Sequence, residues 1–206
     1  MLIFWNKKLA FLAVPKTGTT SIEASLCLKA DIVLRNPPRL KHMTARMFEK
    51  KFAPVTSGED VIKFETVAVM REPVDWLASW YRYRKRPQLA GKPASTEGIS
   101  FDTFIESYLS DERPIYADIG SQFKFVTDKD GNVLVDHIFD YAHFSQLIAF
   151  LENKLDLSLE LGHANKSPKE EVSLSPALLF ELKRLYNKDF ELYAKVRVQA
   201  LKSAHP

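Results

Sequence analysis

Cysteine is almost absent from this chain of 206 residues: the single Cys27 rules out an internal disulfide framework. Its place in an apolar, helix-like segment predicts a buried thiol, in keeping with a reducing compartment. No apolar run approaches the length of a membrane-spanning helix, and Met1 to Val14 holds lysines and only short apolar stretches. A soluble, cytoplasmic protein without a membrane partner is expected. None of the five histidines, His42, His137, His143, His163 and His205, stands at metal-ligand spacing from another, so no metal site is expected. Charge is nearly balanced as well. A formal net charge of +3 and a pI near 8.8 suit an anionic small ligand but fall short of a nucleic-acid footprint. Linkers, internal repeats and low-complexity segments are missing too, which makes residues 1–206 one expected domain.

What is present concentrates in two places. The first is Ala13-Val14-Pro15-Lys16-Thr17-Gly18-Thr19-Thr20-Ser21, where an apolar run breaks into a short turn before a helix-like segment. A strand, tight turn and helix N-terminus in series aim backbone N–H groups, the helix dipole and here one ammonium at a small volume. That volume suits a phosphate or sulfate. The nucleoside-triphosphatase pattern places lysine after its second glycine, followed by the hydroxyl that binds Mg²⁺. Here Lys16 precedes the only glycine of the loop.

The second place is Val67 to Arg84. Thr66 to Met70 reads as a strand buried on both faces of a parallel sheet, and Pro73 starts a helix at its first turn. Trp76, Leu77, Trp80, Tyr81 and Arg84 share one side at helical spacing, with Ser79 at the margin of that stripe. Arg71 therefore emerges at the carboxyl end of a strand, with Ser79 available to the same crevice. A guanidinium fork and a hydroxyl together suit a dianionic phosphate.

The Pro15-to-Thr20 string resembles the 5′-phosphosulfate loop of sulfotransferases that use 3′-phosphoadenosine 5′-phosphosulfate (PAPS), and Arg71 with Ser79 resembles the 3′-phosphate signature of the same family. The resemblance implies PAPS as co-substrate, with no metal required. It implies Lys16, Thr17, Gly18, Thr19, Thr20 and Ser21 around the 5′ end, Arg71 and Ser79 around the 3′-phosphate, and Lys166 and Ser167 as further contacts from a polar break before the last helix. Lys16 is the candidate catalytic cation. His42 is the candidate base, since an imidazole near neutrality can take a hydroxyl proton; Glu49 and Glu23 are the alternatives. Many cytosolic relatives carry tryptophan after Gly-Thr-Thr where this chain has Ser21, which places it nearer the carbohydrate-type and bacterial branch. A small-molecule or carbohydrate acceptor is implied, without an oligomeric state. Two other readings stay open, a P-loop-type small-molecule kinase and a nucleotide-binding regulatory protein without turnover.

The remaining elements predict a three-layer α/β fold, P-loop-like, with a central parallel sheet flanked by helices. Leu9 to Val14 reads as the first strand, Thr19 to Leu28 as a helix, Ile32 to Leu34 as a short strand and Thr44 to Phe52 as a helix capped by Thr44. Arg86 to Glu97 reads as a mobile loop and Ser100 as the cap of a helix. Phe123 to Val126 and Val133 to Val135 read as a hairpin across Asp130-Gly131. A helix after Tyr141 and one long helix from Ser175-Pro176 complete the expectation.

Overall fold

Leu2–Phe4 (β1) and Leu9–Phe11 (β2) form an antiparallel hairpin with Leu2 opposite Phe11. Its turn uses no glycine; Lys8 itself takes the left-handed conformation, φ 48°. The computed structural model describes residues 1–56, 63–160 and 172–203. After β2 come a loop, the helix Thr19–Leu26 (α1) and the short strand Ile32–Val33 (β3), which pairs antiparallel with β1. Pro38–Lys41 (α2) and Ala45–Met47 (α3) follow, the latter capped by the Thr44 hydroxyl. The chain then widens into a π-helical turn, Phe48–Phe52, and a 3-10 turn, Ala53–Thr56.

Glu65–Met70 (β4) runs parallel to β2, and His137–Asp140 (β5) runs parallel to β4, giving the order β3-β1-β2-β4-β5. Three contiguous parallel strands thus carry the carboxyl ends on which the motifs sit. The expectation of a first strand at Leu9 overlooked β1, and with it the antiparallel side of the sheet. Trp5 to Lys8 carries no glycine, and Asn6 alone, without the Asn-Gly pair that marks a tight hairpin, does not announce one.

Between β4 and β5 lie Pro73–Arg84 (α4), Phe101–Leu109 (α5) and Gln122–Val126 (α6); Phe144–Leu155 (α7), Pro176–Leu185 (α8) and Asn187–Ser203 (α9) complete the chain. The α6 helix replaces one arm of the expected hairpin, of which a single bridge, Thr127 with Val133, remains. Two caps decide for helix: the Ser121 hydroxyl accepts from the Lys124 amide, and the buried Asp189 carboxylate accepts from the Phe123 amide. The last helix divides at Tyr186, and the stripe assigned to it is shared by α8 and α9.

Period-two alternation sorts the sheet's side chains into two cores. Ala10, Leu12, Ala68 and Met70 meet α3, the π-turn, α6 and α9, whereas Leu9, Phe11, Val67 and Val69 meet α1 and α7. The result is a three-layer α/β/α arrangement. A third core, built from Trp76, Tyr81, Phe101, Phe104 and Tyr108 with Leu182, joins α4, α5 and α8 beside the sheet. Residues 86–97 start with a 3-10 turn and are pinned at their far end by the fully buried Thr96, whose hydroxyl donates to the Tyr81 carbonyl at 2.8 Å. Cys27 closes α1 half-exposed, not buried as its apolar neighbours suggested. Among the described residues no helix is long and apolar enough to cross a membrane.

Candidate active site

The loop from β2 to α1 is held from inside. The Thr17 hydroxyl is buried and donates to the Val14 carbonyl at 2.9 Å. Lys16 and Gly18 take the left-handed conformation, φ 66° and 78°. For lysine that is a strained state, tolerated where surroundings over-determine it. Gly18 is needed twice over: a Cβ there would lie 3.1 Å from the Phe144 ring and 3.2 Å from the Tyr141 ring. Thr19 is buried, Ser21 half-buried and Thr20 exposed. The Ser21 N–H donates back to the Gly18 carbonyl at 3.1 Å, and the Thr19 and Thr20 N–H groups ahead of it, which precede the first intrahelical bond, open at this loop.

From the β4 side, the Trp76 indole donates to the Pro15 carbonyl at 2.8 Å, tying α4 to the loop. The Arg71 guanidinium binds Asp75 at 2.5 Å, lies 3.4 Å from the Lys16 carbonyl and stands 4.6 Å over the Tyr141 ring. Asp75 is shared with Arg82 at 3.5 Å. Ser79 lies on the same helical stripe between Asp75 and Arg82, and is buried. Arg71 itself is positioned by Gln122 of α6, whose amide accepts from the Arg71 N–H at 2.9 Å and donates to the Arg71 carbonyl at 2.8 Å.

Lys16 sits half-buried over the Tyr83 ring at 4.2 Å, with the Trp80 ring at 5.9 Å. Burial, then Arg86, Arg71 and Arg82, lower its ammonium from 10.5 to about 8. Four cations thus converge on one loop, and their mutual repulsion is a standing affinity for anions. Among the described residues the buried Trp80 indole N–H has no acceptor.

His42 ends α2 beside this loop. Its Nδ1 lies 2.6 Å from the Ala13 carbonyl at the end of β2. A carbonyl can only accept, so Nδ1 carries the proton and Nε2 is left as the basic nitrogen. Burial lowers the His42 pKa below its ordinary value, opposed by that hydrogen bond. Glu23 is bound by Arg35 at 2.6 Å and Lys41 at 2.8 Å; against its burial, those two cations hold the carboxyl below the usual range. Glu49 is exposed on the π-turn.

Lys16 to Ser21 and Arg71 thus gather at the carboxyl ends of β2 and β4, with Ser79 buried further along α4 and His42 on the flank of β2. Lys166 and Ser167 lie outside the described residues. Sequence reasoning missed Trp76, Gln122, Tyr141 and Phe144 as parts of the site, because each acts through a contact more than fifty residues away along the chain. Residues 1–195 match the family described as the sulfotransferase family. No curated protein matches the chain.

Proposed function

Because this chain belongs to the sulfotransferase family, we propose that it uses PAPS as sulfuryl donor and modifies a hydroxyl or amine of a small-molecule or carbohydrate acceptor. The observation that carries this reading is the gathering of Arg71, Arg82 and Arg86 around Lys16 and the loop that follows it. The fit to PAPS rests on charge: a cluster of like charges is relieved by a ligand bearing two phosphate groups. The donor supplies an activated sulfuryl group, which passes in line to the acceptor oxygen as its bond to the 5′-phosphate breaks.

The chain's own groups then divide the work. The α1 amides and the Lys16 ammonium neutralise charge at the 5′ end, where it grows as the phosphate leaves. Arg71, with Ser79 on the adjoining helix, holds the 3′-phosphate. His42 Nε2 takes the acceptor's proton, its Nδ1–H anchored on Ala13. Calorimetric titration with adenosine 3′,5′-bisphosphate, AMP and ATP, each with and without EDTA, tests the reading. The bisphosphate should bind at least tenfold more tightly than AMP or ATP, independently of EDTA. Equal affinity for AMP, or binding abolished by chelator, would overturn it.

A further inference from the structure

Arg71 rests on two separate supports, and both lead to the same helix. Its backbone N–H and carbonyl are bound by the Gln122 amide of α6, which precedes β5 in the chain. Its guanidinium stands over the Tyr141 ring at 4.6 Å, in the 3-10 turn Tyr141–His143 that follows β5. The helix that reaches both is α9. Along its buried stripe Asp189, Tyr193, Val196 and Ala200 follow one another at helical spacing. The Asp189 carboxylate accepts at 3.0 Å from the amide of Phe123, the residue after Gln122. One turn further on, the Tyr193 hydroxyl donates to the Asp140 carboxylate at 3.0 Å. Asp140 in turn accepts from the Ala142 amide at 3.0 Å and binds His143 Nδ1 at 2.8 Å, closing the turn that presents the Tyr141 ring.

Stability gives little reason for polar groups at these two places. A buried hydrogen-bonded pair adds little over an apolar contact of the same shape, and the same stripe continues with Val196 and Ala200. What the pair adds is direction. A donor and an acceptor fix distance and angle where apolar surfaces can slide. Asp140, Gln122 and Asp189 are all buried, so each contact is shielded from exchange with water. An anchoring guanidinium needs such support, because a misplacement of about 1 Å is felt in binding and rate.

We infer that Asp189 and Tyr193 are positioning residues for Arg71, Asp189 fixing its backbone through α6 and Gln122, and Tyr193 fixing its guanidinium through Asp140 and the Tyr141 ring. The start of α9 thereby sets the angle at which the arginine meets its anion. The brace is made of contacts within the chain; that the anion is a 3′-phosphate rests on the donor reading above.

The test compares Asp189→Ala, Asp189→Asn and Tyr193→Phe with Val196→Ala, a substitution on the same stripe that touches neither support. Two quantities are read from the full chain. Nuclear magnetic resonance follows the Arg71 Nε–H, assigned by its loss in Arg71→Lys and displaced by the ring current of Tyr141. Calorimetry gives the ratio of affinities for adenosine 3′,5′-bisphosphate and AMP. Asp189→Ala and Tyr193→Phe should each move the resonance and weaken bisphosphate binding about three- to thirtyfold, with AMP affinity unchanged. Asp189→Asn should stay close to the wild type in both, because its carboxamide oxygen still accepts from Phe123. Val196→Ala should lower Tm through the cavity it leaves, with resonance and ratio unmoved. Should Asp189→Ala fail to fold, Tyr193→Phe, which removes a single oxygen atom, decides alone. An unmoved resonance in Tyr193→Phe, an equal displacement in Val196→Ala, or a moved resonance with the affinity ratio of the wild type would each overturn the proposal. A wild type that binds AMP as tightly as the bisphosphate, with the resonance still displaced in Tyr193→Phe, would instead overturn the donor reading and leave the brace standing.

Discussion

Exchanging the Lys16 ammonium for a thioether, Lys16→Met, isolates the charge on which the site is built. In the bare protein, burial and three arginines lower that ammonium to about 8. At pH 8.5 it is then about one-quarter protonated, whereas at pH 7 it is about nine-tenths protonated. A bound 5′-phosphate replaces repulsion with attraction and returns the group towards or above its ordinary value, so that it is fully charged in the complex. Through Lys16, binding of adenosine 3′,5′-bisphosphate should therefore take up about 0.75 proton at pH 8.5 but only about 0.1 at pH 7, where release of the roughly 0.1 proton that each free phosphate still holds offsets it. At pH 8.5 the second phosphate ionisation, near pH 6, is complete, and the uptake is that of Lys16. Calorimetry in two buffers of different ionisation enthalpy measures the uptake directly. Lys16→Met should show almost no uptake at pH 8.5. An uptake that is flat with pH in the wild type, or that survives in Lys16→Met, would refute the argument that these cations form one anion site. The same linkage acts on the unliganded fold: the unfolded chain holds the Lys16 proton to higher pH than the folded one, so this group's contribution to stability should increase between about pH 8 and 10.5.

Arg71→Ala should weaken bisphosphate binding by about 2–4 kcal/mol, as expected when a charge-assisted contact is lost, but lower stability by no more than about 1 kcal/mol, since its partner Asp75 is half-exposed; parallel calorimetry and denaturant titration separate the two. Gly18→Ala should destabilise the fold by about 1–3 kcal/mol through the positive φ and the Phe144 contact, visible as a lowered Tm, and a Tm unchanged from wild type would remove that constraint. His42→Ala should keep bisphosphate affinity while losing about 10²- to 10⁴-fold in transfer rate. Because burial lowers the His42 pKa below its ordinary value, the wild-type rate should fall to half its plateau only below pH 6.5; a rate that already halves at or above pH 6.5 would contradict a buried neutral base.

Legibility followed the range of the interactions. Both strand-to-helix junctions were readable because each is local: Lys16, Gly18 and the hydroxyls sit within one turn, and Arg71 and Ser79 belong to one strand and the helix after it. The core faces of β2, β4 and α1 were readable for the same reason, their periodicities being properties of short segments. What escaped was long-range. Nothing near Trp76 indicates that its indole meets Pro15, and nothing near Gly18 indicates that the rings of Tyr141, just before α7, and Phe144, at its start, close over it. The misread hairpin has a different cause. Phe123-Lys124-Phe125-Val126 alternates for too few residues to separate strand from helix, and the deciding cap, Asp189, lies 66 residues away.

Gln122 gives the end of β4 an unusual neighbour. The ladder between β4 and β5 ends with Met70 opposite Asp140, and one residue later the two bonds a further strand would make are made by a single side-chain amide. A primary amide carries one donor group and one acceptor, as a peptide does, so Gln122 acts as a one-residue strand contributed by a helix. Backbone protection at Arg71 is therefore not a property of the sheet. In hydrogen exchange its amide should follow the docking of α6, opening when Gln122 lets go even while Val69 and Met70 remain closed, which makes that one N–H a reporter on whether the helix holding the arginine is in place.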